Sequence, residues 1–230
     1  MPFTSAQPLI LVYLQRYCCI ITDVDVSEPG RGLTSSLTMP LLRVLAARSS
    51  PASAAQIMRL VPYGTHAGVS RALERMTNGG VVLGEEIGGR VVYSLNFDHV
   101  LAPAVRVLLR ARDELPRRLR AELTNWEAKP VVGLLYGSAA RLDGDEDSDI
   151  DVLLVHPALN GSSVRMRWAS QVHHLRSEVQ RWTGNHCQVT DRSRATIRRL
   201  ARAGEPVVDE WLNDGVHLVG TPFADLLEEL

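Results

Sequence analysis

Cysteine is scarce in this chain of 230 residues: Cys18, Cys19 and Cys187 are the only three. Two of them are adjacent, so they make no disulfide framework, and none has the CxxC spacing of a zinc site. Such usage fits a reducing, cytoplasmic setting. Lysine is scarcer, with Lys129 alone among 25 basic residues, an arginine excess that reads as codon bias rather than function. Net charge is also nearly absent, at −1, so no global field selects the partner. A bilayer-spanning run is missing. The stretch Leu9–Ile21 is apolar, but Gln15 and Arg16 interrupt it and it falls short of the roughly 20 residues a spanning helix needs. No basic segment precedes it, which speaks against a signal peptide. No membrane partner is expected, and neither an internal repeat nor a low-complexity tract is visible. What is present is ordinary: 45% hydrophobic and 22% charged residues, enough for one large domain or two small ones with real cores.

Charge divides the chain. Residues 38–128 carry 12 arginines against 8 acids, and residues 129–230 carry 11 basic residues against 15 acids. A basic middle and an acidic C-terminal half suggest two modules with different partners. Residues 1–37 read as an N-terminal extension and a candidate for disorder, with Ser27–Ser36 a loop.

Residues 38–98 spell three helices and a hairpin. Pro40–Ala47 is a short helix with proline in its first turn. Ala54–Leu60 follows, capped by Ser53. Thr65 caps a third helix running to about Met76, with Val69, Ala72, Leu73 and Met76 at helical spacing and Gly79–Gly80 closing it. Val81–Leu83, a turn at Gly88–Gly89 and Val91–Tyr93 make the hairpin. That order is a winged helix-turn-helix. Residues 99–128 read as a helical linker that Pro116 should kink or split. Its arginines at 106, 110, 112, 117, 118 and 120 read as a solvated face.

From residue 129 strand and helix alternate. Strands are expected at Val131–Tyr136, Ile150–His156 and His186–Thr190. Helices are expected at Met166–Trp182 and Ala195–Ala203, with further helical pieces at Asp209–Leu212 and Pro222–Leu230. His173 and His174 read as surface residues, and Trp168, Trp182 and Trp211 as core.

The chemistry is concentrated between Leu134 and Val155. A strand ends in Gly137-Ser138, where a helix should begin. After ten intervening residues, Asp149 and Asp151 stand two apart at the head of an apolar strand, so both carboxylates lie on one face. Two close carboxylates repel unless a cation sits between them, and hard oxygen ligands suit magnesium or manganese. Glycine after a strand lets backbone N–H groups approach phosphate oxygens, and a helix start adds a favourable dipole. Ser138 can add a hydroxyl, and Arg141 a charge-assisted contact. Phosphate cradle plus metal-binding aspartates is the equipment for moving a nucleotidyl group. A calcium loop from Asp143 is the main competitor, but its sixth and twelfth places hold Ser148 and Leu154, where glycine and glutamate belong. A solvated acidic turn accounts for Asp143, Asp145, Glu146 and Asp147 but not for Gly137-Ser138.

The pair GSAAR (137–141) and DSDID (147–151) resembles the nucleotidyltransferase superfamily, whose fold is shared by DNA polymerase beta, aminoglycoside nucleotidyltransferases and minimal nucleotidyltransferase proteins. The resemblance covers about twenty residues. It implies a mixed sheet with flanking helices, Gly137 and Ser138 on an NTP triphosphate, and Asp149 and Asp151 on the metals. Many relatives carry a third carboxylate on a neighbouring strand. Here Gln188 occupies that place, nucleotide-facing but unable to take a proton usefully. Asp191, the nearest acid, reads as the N-cap of the helix beginning near Ser193. His186, beside the site, is a candidate for substrate contact.

The 38–96 segment resembles small winged helix-turn-helix domains of the ArsR/MarR-like bacterial type. The resemblance makes Thr65–Met76 the recognition helix, with Thr65, His66, Ser70, Arg71 and Arg75 facing DNA and Arg90 at the hairpin tip reaching groove or backbone. It also implies a homodimer paired through the 99–126 helix. The expectation is therefore an α+β protein, with a DNA-binding winged helix, a helical linker and a nucleotidyltransferase domain. Its activity would be magnesium- or manganese-dependent transfer of an NMP from an NTP to a hydroxyl on a protein, RNA or small molecule. The alternative is a transcription regulator, or a toxin–antitoxin component, that binds nucleotide without turnover.

Overall fold

Two helix starts in the first half follow a polar residue that caps them, Ser53 and Thr65. The computed structural model describes residues 23–229, so Leu9–Ile21, Cys18 and Cys19 lie outside the described residues. Helix α1 spans Thr38–Ala46, strand β1 Ala52–Ser53, α2 Ala54–Met58 and α3 His66–Asn78. Ser53 Oγ accepts the Gln56 N–H while Gln56 Oε1 accepts the Ser53 N–H, a reciprocal cap. Thr65 Oγ1 accepts the Gly68 N–H at 3.1 Å. Strands β2 (Val82–Ile87) and β3 (Arg90–Leu95) turn at Gly88 and Gly89, whose φ values of +60° and +76° suit a two-residue hairpin loop. Strand β1, too short to show alternation in the sequence, pairs antiparallel with β3 and gives the order β1–β3–β2. The three helices and this sheet close over a core that includes Met39, Leu41, Ile57, Leu73 and Val82.

The connecting region is split, but not where proline suggests. Helices α4 (Ala102–Leu109) and α5 (Glu114–Thr124) part at a 3-10 turn over Ala111–Asp113. Pro116 lies in the first turn of α5, where its missing N–H removes no intrahelical bond. The solvated reading of the arginines fits: Arg117 and Arg118 both bind Glu114, and Arg120 donates to the His217 carbonyl.

Beyond α5 come β4 (Val132–Tyr136), α6 (Gly137–Arg141), β5 (Ile150–His156) and α7 (Ser162–Thr183). Then follow β6 (Cys187–Ser193), α8 (Arg194–Ala203), α9 (Pro206–Asn213), β7 (Val216–Gly220) and α10 (Phe223–Glu228). The sheet order is β6–β5–β4–β7, with β5 and β6 parallel and the other pairs antiparallel. The result is a mixed α+β architecture. Its sheet is buried on both faces. On β5, Ile150, Val152 and Leu154 join α5 and α7 in one core, while Leu153 and Val155 join Trp211 and Phe223 in the other. Leu154 is fully buried at the strand centre. Leu154→Ala is expected to destabilise the protein by about 3 kcal/mol, read from the midpoint of urea unfolding.

Loose packing, expected of residues 1–37, fits Leu33, which is 77% exposed, but not Val26. Val26 is buried in the α5–α7 core. A 3-10 turn over Pro29–Leu33 follows, and Arg31 pairs with Asp25 at 2.9 Å. No helix among the described residues is long and apolar enough to cross a membrane.

Candidate functional site

Strand β4 delivers Tyr136 and ends at Gly137, whose φ of +71° turns the chain into α6. A Cβ at Gly137 would lie 2.6 Å from Asp151 Oδ2. Glycine is therefore required twice, for the left-handed backbone and for the close approach to a carboxylate. Leu142 closes α6 at φ +60°, the single non-glycine residue with positive φ among the described residues. After the acidic loop, Asp149 and Asp151 lie at the head of β5, two residues apart and on the face of Leu153 and Val155.

Register completes the face. Asp151 pairs with Tyr136 on one side and with Gln188 on the other. The residue beside Asp151 on β6 is thus an amide. His186 Nδ1 lies 3.7 Å from Asp149 Oδ2. Burial, together with the charges of Asp149 and Glu210, raises the Asp151 carboxyl above the ordinary aspartate range. Tyr136 donates to or accepts from Thr190 across 2.8 Å, and burial raises its phenol too.

A raised carboxyl has a direct consequence for stability. The folded state binds the Asp151 proton more tightly than the unfolded chain does. The stability that proton contributes is present below the unfolded pKa and is lost as pH rises through the folded value. Asp151→Asn should therefore raise the neutral-pH Tm of the metal-free protein, and the gain should fade in acid. Thermal unfolding of both proteins in chelator across a pH series checks this.

Several expected contributors have other partners in the structure. Arg141 is engaged by three carboxylates, Asp143 at 3.0 Å, Glu210 at 3.2 Å and Asp214 at 3.6 Å. Asp191 does not cap α8. Ser193 does, its Oγ accepting the Thr196 N–H at 3.1 Å, while β6 continues through Asp191, whose Oδ2 accepts from Trp168 Nε1 at 2.9 Å. Parallel pairing of Asp191, Arg192 and Ser193 with Leu154, Val155 and His156 extends the strand past the expected end at Thr190. Cys187 is buried, and burial pushes its thiol up to about 12, so it is inert as a nucleophile. His173 and His174 are exposed, Trp168 and Trp211 are core, and Trp182 is half-buried.

Two contributors escaped the sequence reading. Asn185, 1% exposed, donates from Nδ2 to the carbonyls of Glu146 and Ser148 and accepts the Val24 N–H at Oδ1. It fixes the loop that delivers Asp149. A single asparagine after Gly184 carries no signal of that job, because both partners are distant in sequence. Glu210 faces the site from α9, a helix whose docking no local pattern reveals.

On α3, Thr65 is the cap, His66 and Arg71 are exposed, and Ser70 is half-buried. Arg75 donates to Ser35 Oγ at 2.7 Å and to Thr38 Oγ1 at 3.1 Å. Arg90 is exposed at the hairpin tip.

Asp149 and Asp151 supply hard oxygens on one face, and Gln188 can add a carbonyl beside them. Among the described residues no three His, Cys, Asp or Glu side chains form a metal-holding group. Two carboxylates and an amide carbonyl could fill only part of the shell of a hard cation, which would keep water in its other places.

No family model matches the chain, and no curated protein matches it. Among solved structures it is similar to a chain of a toxin–antitoxin crystallised with AMP-PNP. The identity is 16% and the TM-score 0.34, over 50% of this chain and 82% of that one. A mutant of the MntA–HpeT toxin–antitoxin gives 15% identity and a TM-score of 0.33, over 50% and 81% of the two chains. Human N-acetylserotonin methyltransferase in complex with SAM gives 15% and 0.27, over 54% and 35%. None of these overlaps is large enough to define a family.

Proposed function

We propose that the C-terminal half is a nucleotidyltransferase domain that moves an NMP from an NTP to a hydroxyl acceptor. One observation carries the reading: at Gly137 a Cβ would meet Asp151 Oδ2 at 2.6 Å. A strand end stripped of its side chain beside a paired-aspartate face is what a triphosphate above a metal site needs. Gly137 and Ser138 hold the phosphates with backbone N–H groups and the Ser138 hydroxyl. Asp149 and Asp151, with the Gln188 carbonyl, hold magnesium or manganese. A bound ion of that kind neutralises the triphosphate and stabilises the departing pyrophosphate. The acceptor oxygen bonds to the α-phosphorus as its bond to the bridging oxygen breaks. Pyrophosphate leaves with that electron pair. Gln188 takes no proton, so the acceptor proton leaves to water. Arg141 reaches phosphate once the triphosphate replaces Glu210 and Asp214 as its partner.

The N-terminal unit, in this reading, is a winged helix that binds DNA through α3 and the hairpin, with His66, Arg71 and Arg90 the outward groups. Phe97, Val100, Leu101 and Val107 are exposed apolar residues on and before α4, which supports pairing of two copies there. A second reading is a DNA-binding regulator that senses nucleotide without turnover. The amide of Gln188 beside Asp151 favours it. Incubation with each α-labelled NTP and magnesium decides between the two. Label moving to protein or added RNA, with pyrophosphate released, is the expected result. Metal-dependent binding without pyrophosphate selects the regulator, and no binding removes both.

A further inference from the structure

Helices α4 and α5, the 3-10 turn between them and the C-terminal end of α7 line a groove of about 590 Å³, together with part of the strap that begins at Val24. Val24, Val26, Val107, Leu115 and Trp182 are its apolar residues of size. Leu115 and Val26 belong to the α5–α7 core, but Val107 is 70% exposed. The charged groups of the lining leave the groove apolar in character. Arg118 pairs with Glu114 at 2.8 Å, and its guanidinium carbon lies 5.7 Å from the centre of the Trp182 ring. Arg110 and Arg112 also line it, and long arginine stems cover apolar surface while their heads stay in water.

Val24 and Pro29 are shared with a neighbouring recess of opposite character. Asp23, Asp25, Glu28, Glu146 and Asp147 line that recess against one arginine, Arg31. Asp25 takes Arg31 at 2.9 Å, and Glu28 takes Arg43 at 2.6 Å. Asp23, Glu146 and Asp147 have no ion-pair partner among the described residues. An apolar groove beside an acidic recess is complementary to an apolar partner that carries a positive charge.

The chain itself supplies such a partner, and at the right place. Residues 9–21 are apolar apart from Gln15 and Arg16, and Arg16 is the one charged side chain in residues 1–22. The described residues begin at Asp23, next to Val24 on the groove. Ile21 precedes Val24 by three residues, a reach of at most about 10 Å, and Leu9 precedes it by fifteen, at most about 50 Å. The whole segment is thus within range. A tether this short gives an effective concentration on the order of millimolar, which a free second copy or a dissolved small molecule has to exceed to displace it. We propose that residues 9–21 of the same chain occupy this groove, with Arg16 serving the acidic recess beside it. Phe97, Val100 and Leu101 do not line the groove, so this docking leaves them available for pairing of two copies. It also secures Val24, whose N–H ends on the Asn185 that braces the Asp149 loop.

The test uses the full chain with Cys19→Ser, which leaves Cys18 as the one thiol of the segment. Cys187 is buried and does not compete. Val107→Cys sets a second thiol on the groove. Leu212→Cys, at a position 45% exposed on α9 across the sheet, sets one away from it. With a short bis-maleimide at low protein concentration, Val107→Cys is expected to give an internally linked monomer at about ten times the yield of Leu212→Cys. Adding Leu11→Asp with Leu14→Asp should remove that excess, because carboxylates resist transfer into an apolar groove. The same two substitutions, with no cysteine added, should raise the fluorescence of the apolar dye ANS above its level with the wild type. Links formed only between chains would assign the groove to a second copy and overturn the proposal. Equal yields at the two cysteine positions overturn it as well, as does a yield that survives Leu11→Asp with Leu14→Asp. Wild-type ANS fluorescence as strong as the variant's means an open groove and has the same result. None of these readouts uses NTP, so the outcome is independent of the transferase reading.

Discussion

Replacing Asp149 and Asp151 together by asparagine is expected to lower pyrophosphate release on the order of a thousandfold, about 4 kcal/mol of barrier. The size follows from what the carboxylates do. Asparagine keeps the shape and one carbonyl oxygen but removes both negative charges that would hold a divalent ion under the triphosphate. Asp151 is half-buried beside Asp149 and Glu210, so its charge is unfavourable in the metal-free fold. The double variant should therefore fold at least as well as the wild type, and lost turnover cannot be blamed on unfolding. Pyrophosphate release and thermal unfolding, measured on the same preparations, check both halves. Wild-type turnover in the variant would remove these residues from the chemistry.

The second large effect belongs to Gly137→Ala. Alanine at φ +71° costs about 1 kcal/mol in backbone strain. Its Cβ must also push aside the Asp151 carboxylate from 2.6 Å. Gly204→Ala separates the two contributions, because Gly204 has φ +65° and nothing within 4 Å of an added Cβ. Both variants should lose the strain term in urea unfolding. Only Gly137→Ala should also lose metal-dependent NTP affinity, by at least tenfold, in equilibrium binding. Equal NTP affinity in the two variants would mean that the Gly137 approach does not shape the nucleotide site.

Local chemistry was legible in the sequence, and long-range docking was not. Ser53 and Thr65 announced their helices because capping is decided within three residues. The hairpin announced itself through Gly88-Gly89, and β5 through an apolar run beginning at two aspartates. Strand β7, by contrast, has five residues with exposed His217, and it is a strand only because β4 offers an edge more than 80 residues earlier in the chain. The residues Asp191-Arg192-Ser193 are poor strand formers, and parallel pairing with the end of β5 holds them extended. Part of the candidate site had the same fate. Gly137, Asp149, Asp151 and Gln188 were readable from spacing and resemblance. Asn185 and Glu210 were not, since their importance lies in what tertiary structure brings against them.

Residues 23–37 belong by covalent order to the front of the chain, but their contacts are divided. Val26 fills part of the α5–α7 core, and the Val24 N–H ends on Asn185. Glu28 holds Arg43 of α1 at 2.6 Å, and Gly30 lies against Met39. Trimming the chain just before α1 would thus empty a place in the C-terminal core while appearing to remove only a tail. It would also strip one of the bonds that keep Asn185 braced against the Asp149 loop. In thermodynamic terms this short stretch is shared property. The two halves should melt as one cooperative unit, and a cut before α1 lies far in sequence from the chemistry it disturbs.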